Sequence, residues 1–253
     1  MAGAPKGNLE ESAQGIRICS GVPFPIFNWV LRNRFSESEA DEQISATIHH
    51  FRARGLPFYW GIFPDDRPRN LRERLLAAGF EAEEAPAMAI ELDRPPTPPP
   101  RKGLSIEPVR TMEQVRVFAE TLNAGDFQAA PEVAETIPDV LRPSLSSGSA
   151  EPHLRCFVGY HDGKPVATSA RFLSGGVVGI YGIATVPAAR RRGFGMSMTL
   201  AALEDGRTLG YRSGVLTATT MGEPLYRHLG FRELYRLTQI VVPATNEPPQ
   251  AHA

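Results

Sequence analysis

The chain has 253 residues, 42% apolar and 22% charged, enough to bury one large core or two modest ones. A formal net charge of −1 supplies no global field toward nucleic acid or anionic lipid, so partners have to be argued from local sites. Two distant cysteines, Cys19 and Cys156, fit a reducing cytoplasm rather than a disulfide framework. The start carries no apolar signal-peptide core, and no apolar run approaches the roughly 20 residues that cross a bilayer. The expectation is a cytoplasmic protein with no membrane or nucleic-acid partner.

In chain order, Ser36 and Glu39 form a capping box ahead of a helix that runs to about Arg54 and stops at Gly55. Pro57–Phe63 is strand-like, with Trp60 inside it as a core residue or, less simply, a lining residue of a substrate cleft. Leu71–Ala78 is helical and is followed by Gly79-Phe80. Arg94–Gly103 carries five prolines, which fit neither a helix interior nor a central strand, and reads as a stiff linker. Two units follow, 1–94 and 103–243, joined by a linker at 95–102 and closed by a polar tail at 244–253.

The second unit opens with a strand at Leu104–Val109 and a helix capped by Thr111 and Gln114, with Val115, Phe118, Ala119 and Leu122 inward. A second helix is expected over Pro131–Leu145. Leu154–Tyr160 and Pro165–Leu173 flank Asp162-Gly163, a hairpin signal. Val177–Val186 is a third strand, followed by a basic, glycine-containing loop at Arg190–Gly195. Met196–Leu209 is helical, Val215–Thr219 a strand, Pro224–Leu229 a short helix closed by Gly230, and Phe231–Val242 a strand. The order β-α-α-β-β-β-α-β-α-β makes a mixed α/β sheet. The sequence helix, Gly, strand, helix, Gly-Phe occurs in both units and reads as a weak internal repeat.

The chemistry concentrates in Ile183-Ala184-Thr185-Val186, Pro187-Ala188-Ala189 and Arg190-Arg191-Arg192-Gly193-Phe194-Gly195-Met196. A strand enters a loop of glycines and arginines, and a helix begins where the loop ends. Free N–H groups and the macrodipole at a helix N-terminus attract anions, glycine permits close approach, and arginine adds charge-assisted bonds. Pyrophosphate is the expected ligand. A dinucleotide fingerprint would need glycine at Met198, and a Walker loop needs Gly-Lys-Ser/Thr; both are missing. A basic, solvent-exposed turn is the bland alternative.

Downstream, Glu223-Pro224-Leu225-Tyr226-Arg227-His228-Leu229-Gly230-Phe231 puts a tyrosine four residues before a Gly-Phe turn. Together with Arg190-x-x-Gly193-x-Gly195, this closely resembles the GNAT superfamily of N-acetyltransferases over about 103–243. The resemblance implies the GNAT acyltransferase fold, complete in the C-terminal domain and partial in the N-terminal half. It implies acetyl-CoA as acyl donor, no metal, and direct attack by a small-molecule or peptide amine, in a monomer or homodimer. Backbone groups of Ile183, Ala184, Thr185 and Val186 would bond the pantetheine arm in a wedge opening toward Val215–Thr219. N–H groups from Arg191 to Met196 would hold the pyrophosphate, with the side chains of Arg190, Arg191 and Arg192 available to it. Thr219, where relatives often carry asparagine and which keeps a hydroxyl without the amide, would be a further cofactor contact. Tyr226 would protonate the departing thiolate; its bland reading is a core tyrosine.

Departures from the family pattern shape the rest. The strand Val177–Thr185 lacks the carboxylate that serves many relatives as base, leaving Asp126 and Glu223 as the nearest carboxylates, each readable as a surface or capping residue. A rival reading follows: an acyl-CoA-binding regulatory or scaffolding protein without turnover. In the first unit Leu75 takes the place of the tyrosine, and Glu37, Glu39, Asp41 and Glu42 crowd the corresponding helix start. That unit reads as a degenerate, truncated copy that does not bind CoA and is too short for the front half of the fold.

Overall fold

A computed structural model describes residues 7–93, 103–125, 131–146 and 152–245. The linker expected at 95–102, nearly all of the tail, and Asp126 lie outside the described residues. The elements in chain order are β1 (Asn8–Ser12), β2 (Gly15–Cys19), β3 (Asn28–Leu31), α1 (Ala40–Arg52), β4 (Phe58–Ile62), α2 (Leu71–Ala77), β5 (Ala82–Glu91) and β6 (Leu104–Pro108). They continue as α3 (Met112–Gly125), α4 (Pro131–Ser146), β7 (Leu154–His161), β8 (Lys164–Ser174) and β9 (Val177–Thr185). The last are α5 (Phe194–Thr208), β10 (Ser213–Thr217), α6 (Glu223–His228) and β11 (Arg232–Val242). The expected mixed α/β order of the second unit is present in full.

The chain forms two compact units, Met1–Pro86 with Tyr235–Ala253, and Ala87–Leu234. These differ from a division at the proline run, and hydrogen bonding is the reason. Residues 87–91 of β5 pair antiparallel with β10, and residues 238–242 of β11 pair antiparallel with β4.

In the 87–234 unit, β5, β10, β9, β8, β7 and β6 follow one another in a sheet that is antiparallel except for β10 and β9. Strand alternation sends Ala167, Arg171 and Leu173 to one face and Thr168 and Ala170 to the other. On the first face α5 packs through Met198, Leu200 and Leu203. Arg171, fully buried, is held there by Asp205 at 2.7 Å, and Asp205 also takes Arg155 at 2.7 Å. On the second face α3 buries Val115, Phe118, Ala119 and Leu122, the stripe its periodicity predicts. Its capping box is made: Thr111 Oγ1 accepts from the Gln114 amide and Gln114 Oε1 from the Thr111 amide, both at 3.2 Å.

The other unit orders β1, β2, β3, β4 and the last part of β11, with β3 and β4 parallel. Its core holds Phe51, Phe58, Trp60, Leu71, Leu75, Ile240 and Val242. Trp60 is a core residue of the first unit, and its indole N–H donates to Asn33 Oδ1 at 2.8 Å. The hairpin β1–β2 and strand β3 show that this unit carries more of the sheet than its length suggested.

Candidate functional site

The site begins at an irregularity in β9. Thr168 pairs with Ala184, but Ala170 pairs with Tyr181, so β9 holds one residue too many between them. Gly182 absorbs the bulge with φ 56, a backbone conformation that L side chains rarely adopt, and its carbonyl accepts from Thr168 Oγ1 at 2.8 Å. A bulge of this kind bends the strand that carries it. Strands β9 and β10 share only two pairs, Val178↔Gly214 and Gly179↔Val215. Beyond them, among the described residues, Ile180–Thr185 are laddered on the β8 side alone. Every second residue of such a strand turns its N–H and C=O to the open side. Ile183, Ala184, Thr185 and Val186 lie beyond the last pair that β9 makes with β10.

The loop after β9 is shaped by its backbone. Arg191 has φ 61 and Gly193 φ 81, both left-handed. For the arginine this costs of the order of 1 kcal/mol, which the surrounding structure sustains. Helix α5 then starts at Phe194, two residues earlier than the periodicity indicated, so Phe194 and Gly195 lie in its first turn. No side chain caps that turn and no acidic residue stands in it. Its N–H groups point out of the helix with the positive end of the dipole behind them. A Cβ at Gly195 would meet Leu225 Cδ2 and Thr185 Oγ1 at 3.6 Å, an ordinary contact distance. Those contacts bring the end of β9, the helix start and α6 together. Met196 is half-buried against the core, and Phe194 is buried, so both offer the site backbone rather than side chain.

The three arginines separate in role. Arg190 donates to the Thr185 carbonyl at 3.1 Å and to the Gly125 carbonyl at 2.8 Å. It is a strut between β9 and α3, with two of its five donors so engaged. Arg192 bonds His161 at 2.5 Å and lies over the Phe194 ring at 5.0 Å. Arg191 is exposed beside them.

Tyr226 sits on α6 at 8% exposure, edge-on to Phe231 at 5.7 Å. Gly222 lets it lie there, since a Cβ at that position would come 2.9 Å from Tyr226 Cε2. The ring is part of the core cluster. Thr219 Oγ1 accepts from the Gly222 amide at 3.1 Å and shapes the turn into α6. Glu223 is tied to Arg227 at 2.7 Å, and Arg227 to Glu233 at 2.6 Å. Glu223 is a surface ion-pair residue, and the described residues supply no carboxylate on β9.

The first unit also contains a parallel strand pair. Strands β3 and β4 also share two parallel pairs, Trp29↔Tyr59 and Val30↔Trp60. Just beyond them Asn33 donates to the Gly61 carbonyl at 3.0 Å and to Asp66 Oδ2 at 2.7 Å. An isolated parallel bridge, Arg34↔Arg67, follows. At the start of α1, Ser36 and Glu39 bond each other reciprocally, and the Ser36 hydroxyl holds the Glu39 carboxyl below its usual range. Asp41 and Glu42 complete an acidic first turn.

Sequence reasoning missed Gly182 and His161. A glycine inside a strand pattern is a bulge signal and was there to be read in Tyr181-Gly182-Ile183. Nothing in the sequence links His161 to Arg192.

Residues 106–219 match the family model of the acetyltransferase (GNAT) domain. Among solved structures, a GCN5-related N-acetyltransferase from Kribbella flavida is similar at TM-score 0.72 and 18% identity, covering 94% of this chain and 90% of that one. A GCN5-related N-acetyltransferase from Sphaerobacter thermophilus is similar at TM-score 0.66 and 15% identity, covering 97% and 85%. A tandem GNAT protein from the clavulanic acid biosynthesis pathway is similar at TM-score 0.60 and 15% identity, covering 96% and 85%. Identities this low speak for the fold. Curated proteins give no sequence match.

Proposed function

We propose that the chain is a member of the GNAT superfamily whose 87–234 unit transfers an acetyl group from acetyl-CoA to an amine acceptor by direct attack, a reading supported by the family-model match and the fold. The observation that carries the reading is the start of α5. It is an uncapped, carboxylate-free first turn behind two left-handed residues, following a strand that has run beyond its last pair with β10. N–H groups of Arg191 to Met196 are the donors for pyrophosphate, and the open edge of Ile183–Val186 bonds the pantetheine arm. The residues present fit the ligand, which supplies the activated acyl group and a thiolate leaving group. Tyr226 donates a proton to that thiolate, and a positioned acid of this kind contributes about 10²–10⁴ in rate. The first unit is a degenerate copy whose acidic helix start takes no CoA.

The absence of a carboxylate on β9 favours one rival, an acyl-CoA-binding regulatory protein without turnover. Thiol release from acetyl-CoA across an amine panel separates the two. Tyr226→Phe keeps the ring packing and deletes the proton. It is expected to lower kcat about ten- to a thousandfold, roughly 1.4–4 kcal/mol of barrier, with Kd for acetyl-CoA nearly unchanged. Wild-type turnover in that variant would return Tyr226 to a packing role, and no turnover with any amine despite tight acetyl-CoA binding would favour the rival.

A further inference from the structure

His161 ends β7, and its ring joins two segments that are remote in sequence. Nδ1 lies 2.9 Å from the carbonyl oxygen of Gly103, just ahead of β6, and Nε2 lies 2.5 Å from Arg192 Nη2. The chemistry of the partners sets the tautomer. A carbonyl oxygen only accepts, so Nδ1 carries the hydrogen; a guanidinium only donates, so Nε2 offers its lone pair. Asp162 Oδ2, 3.3 Å from the same Nε2, is the competing partner that a protonated ring would take instead. Gly103, at φ 72, makes room for the ring, because a Cβ there would meet His161 Cε1 at 3.0 Å. The ring also lies 5.2 Å from that of Phe194, the first residue of α5, over which the Arg192 guanidinium stands.

An exposed arginine loses rotamer freedom when a ligand fixes it, and that loss weakens binding. Here the loss is met in advance. Between His161 and the Phe194 ring, the guanidinium is held beside the uncapped turn, and the imidazole bond occupies one of its five donors. We propose that His161 is a positioning residue for phosphate binding: it holds Arg192 ready for a phosphate of the CoA ligand and touches no ligand itself. This rests on the reading of the α5 start as a CoA site.

The test is isothermal titration of the full chain with CoA, with melting temperatures measured on the same preparations. His161→Ala is expected to weaken CoA binding about fivefold, the scale of one side chain left to be ordered by the ligand. His161→Gln, whose side-chain oxygen can accept from Arg192, should stay within about twofold of wild type. In an Arg192→Ala background, His161→Ala should cost nothing further, because coupled residues are non-additive. Should the alanine variant fail to fold, His161→Phe keeps a ring against Phe194, accepts nothing, and takes its place. A wild-type Kd in a folded His161→Ala or His161→Phe variant overturns the inference, as does the same fivefold loss with Arg192 already removed. A wild-type chain that binds no CoA overturns the site reading, and the inference with it.

Discussion

Gly125 closes α3 where that helix meets the end of β9, and it offers a sharp perturbation of that strand. A Cβ on Gly125 would lie 2.9 Å from Ala184 Cβ, 3.0 Å from the Thr185 nitrogen and 3.1 Å from the Thr185 carbonyl carbon. Two of these are backbone atoms of a strand laddered to β8, so no side chain can rotate out of the way. Overpacking of this kind costs about 1–3 kcal/mol, or roughly 2–12 °C of Tm for a chain of this size. The same step moves the Gly125 carbonyl that accepts from Arg190, and with it the strut behind the loop. Gly125→Ala should therefore lower Tm by several degrees and weaken acetyl-CoA binding by about tenfold or more, read by circular dichroism and titration calorimetry. Gly195→Ala is the matched control. Its Cβ meets only ordinary contacts at 3.6 Å, and alanine is the better helix former, so Tm should hold or rise by up to about 1 kcal/mol equivalent. Wild-type Tm and Kd in Gly125→Ala would refute the claim that this contact sets the position of β9.

Arg190→Ala should cost about 2–3 kcal/mol, because it removes two charge-assisted bonds and leaves the Thr185 and Gly125 carbonyls short of a partner. Arg190→Lys should not restore the loss in a denaturation curve, since an ammonium does not reproduce the fork. Titration should give one CoA site per chain, the first unit being acidic at α1; two sites of similar affinity would contradict that. Burial pushes the Cys156 thiol up to about 12, so iodoacetamide at pH 8 should leave it unmodified in the folded chain. Alkylation at the rate of an exposed thiol, followed by mass spectrometry, would show otherwise.

Elements with a local cause were legible in the sequence. The Thr111–Gln114 box, the Asp162-Gly163 turn and the amphipathic stripe of α3 each carry their own physics and are found within a residue or two, while Ser36 and Glu39 bond each other but α1 begins only at Ala40. Strand β5 was not legible. Ala82–Glu91 is rich in alanine and glutamate and contains Pro86, and it becomes a strand through its pairing with β10. The hairpin β1–β2 likewise lacks a strong strand composition. At the site, residue types announced an anion-binding helix start, because glycine and arginine act there through backbone freedom and charge. What a side chain does once it is folded was another matter. Arg190 turns inward to two carbonyls and Arg192 to an imidazole because Gly125 and His161 arrive from other elements, and one-dimensional spacing does not contain that.

The hydrogen-bonding partners of β4 also bear on how the chain is made. Residues 58–62 of that strand pair with 238–242, whereas everything from Ala87 to Leu234 closes on itself. During synthesis at about 5–20 residues per second, β4 waits on the order of ten seconds or more for its antiparallel neighbour. Throughout that interval Phe58 and Trp60 lack Ile240 and Val242, with which they form one core. The later-made unit can therefore finish folding first, while the earlier-made one stays an incomplete sheet with an open edge until the final strand leaves the ribosome.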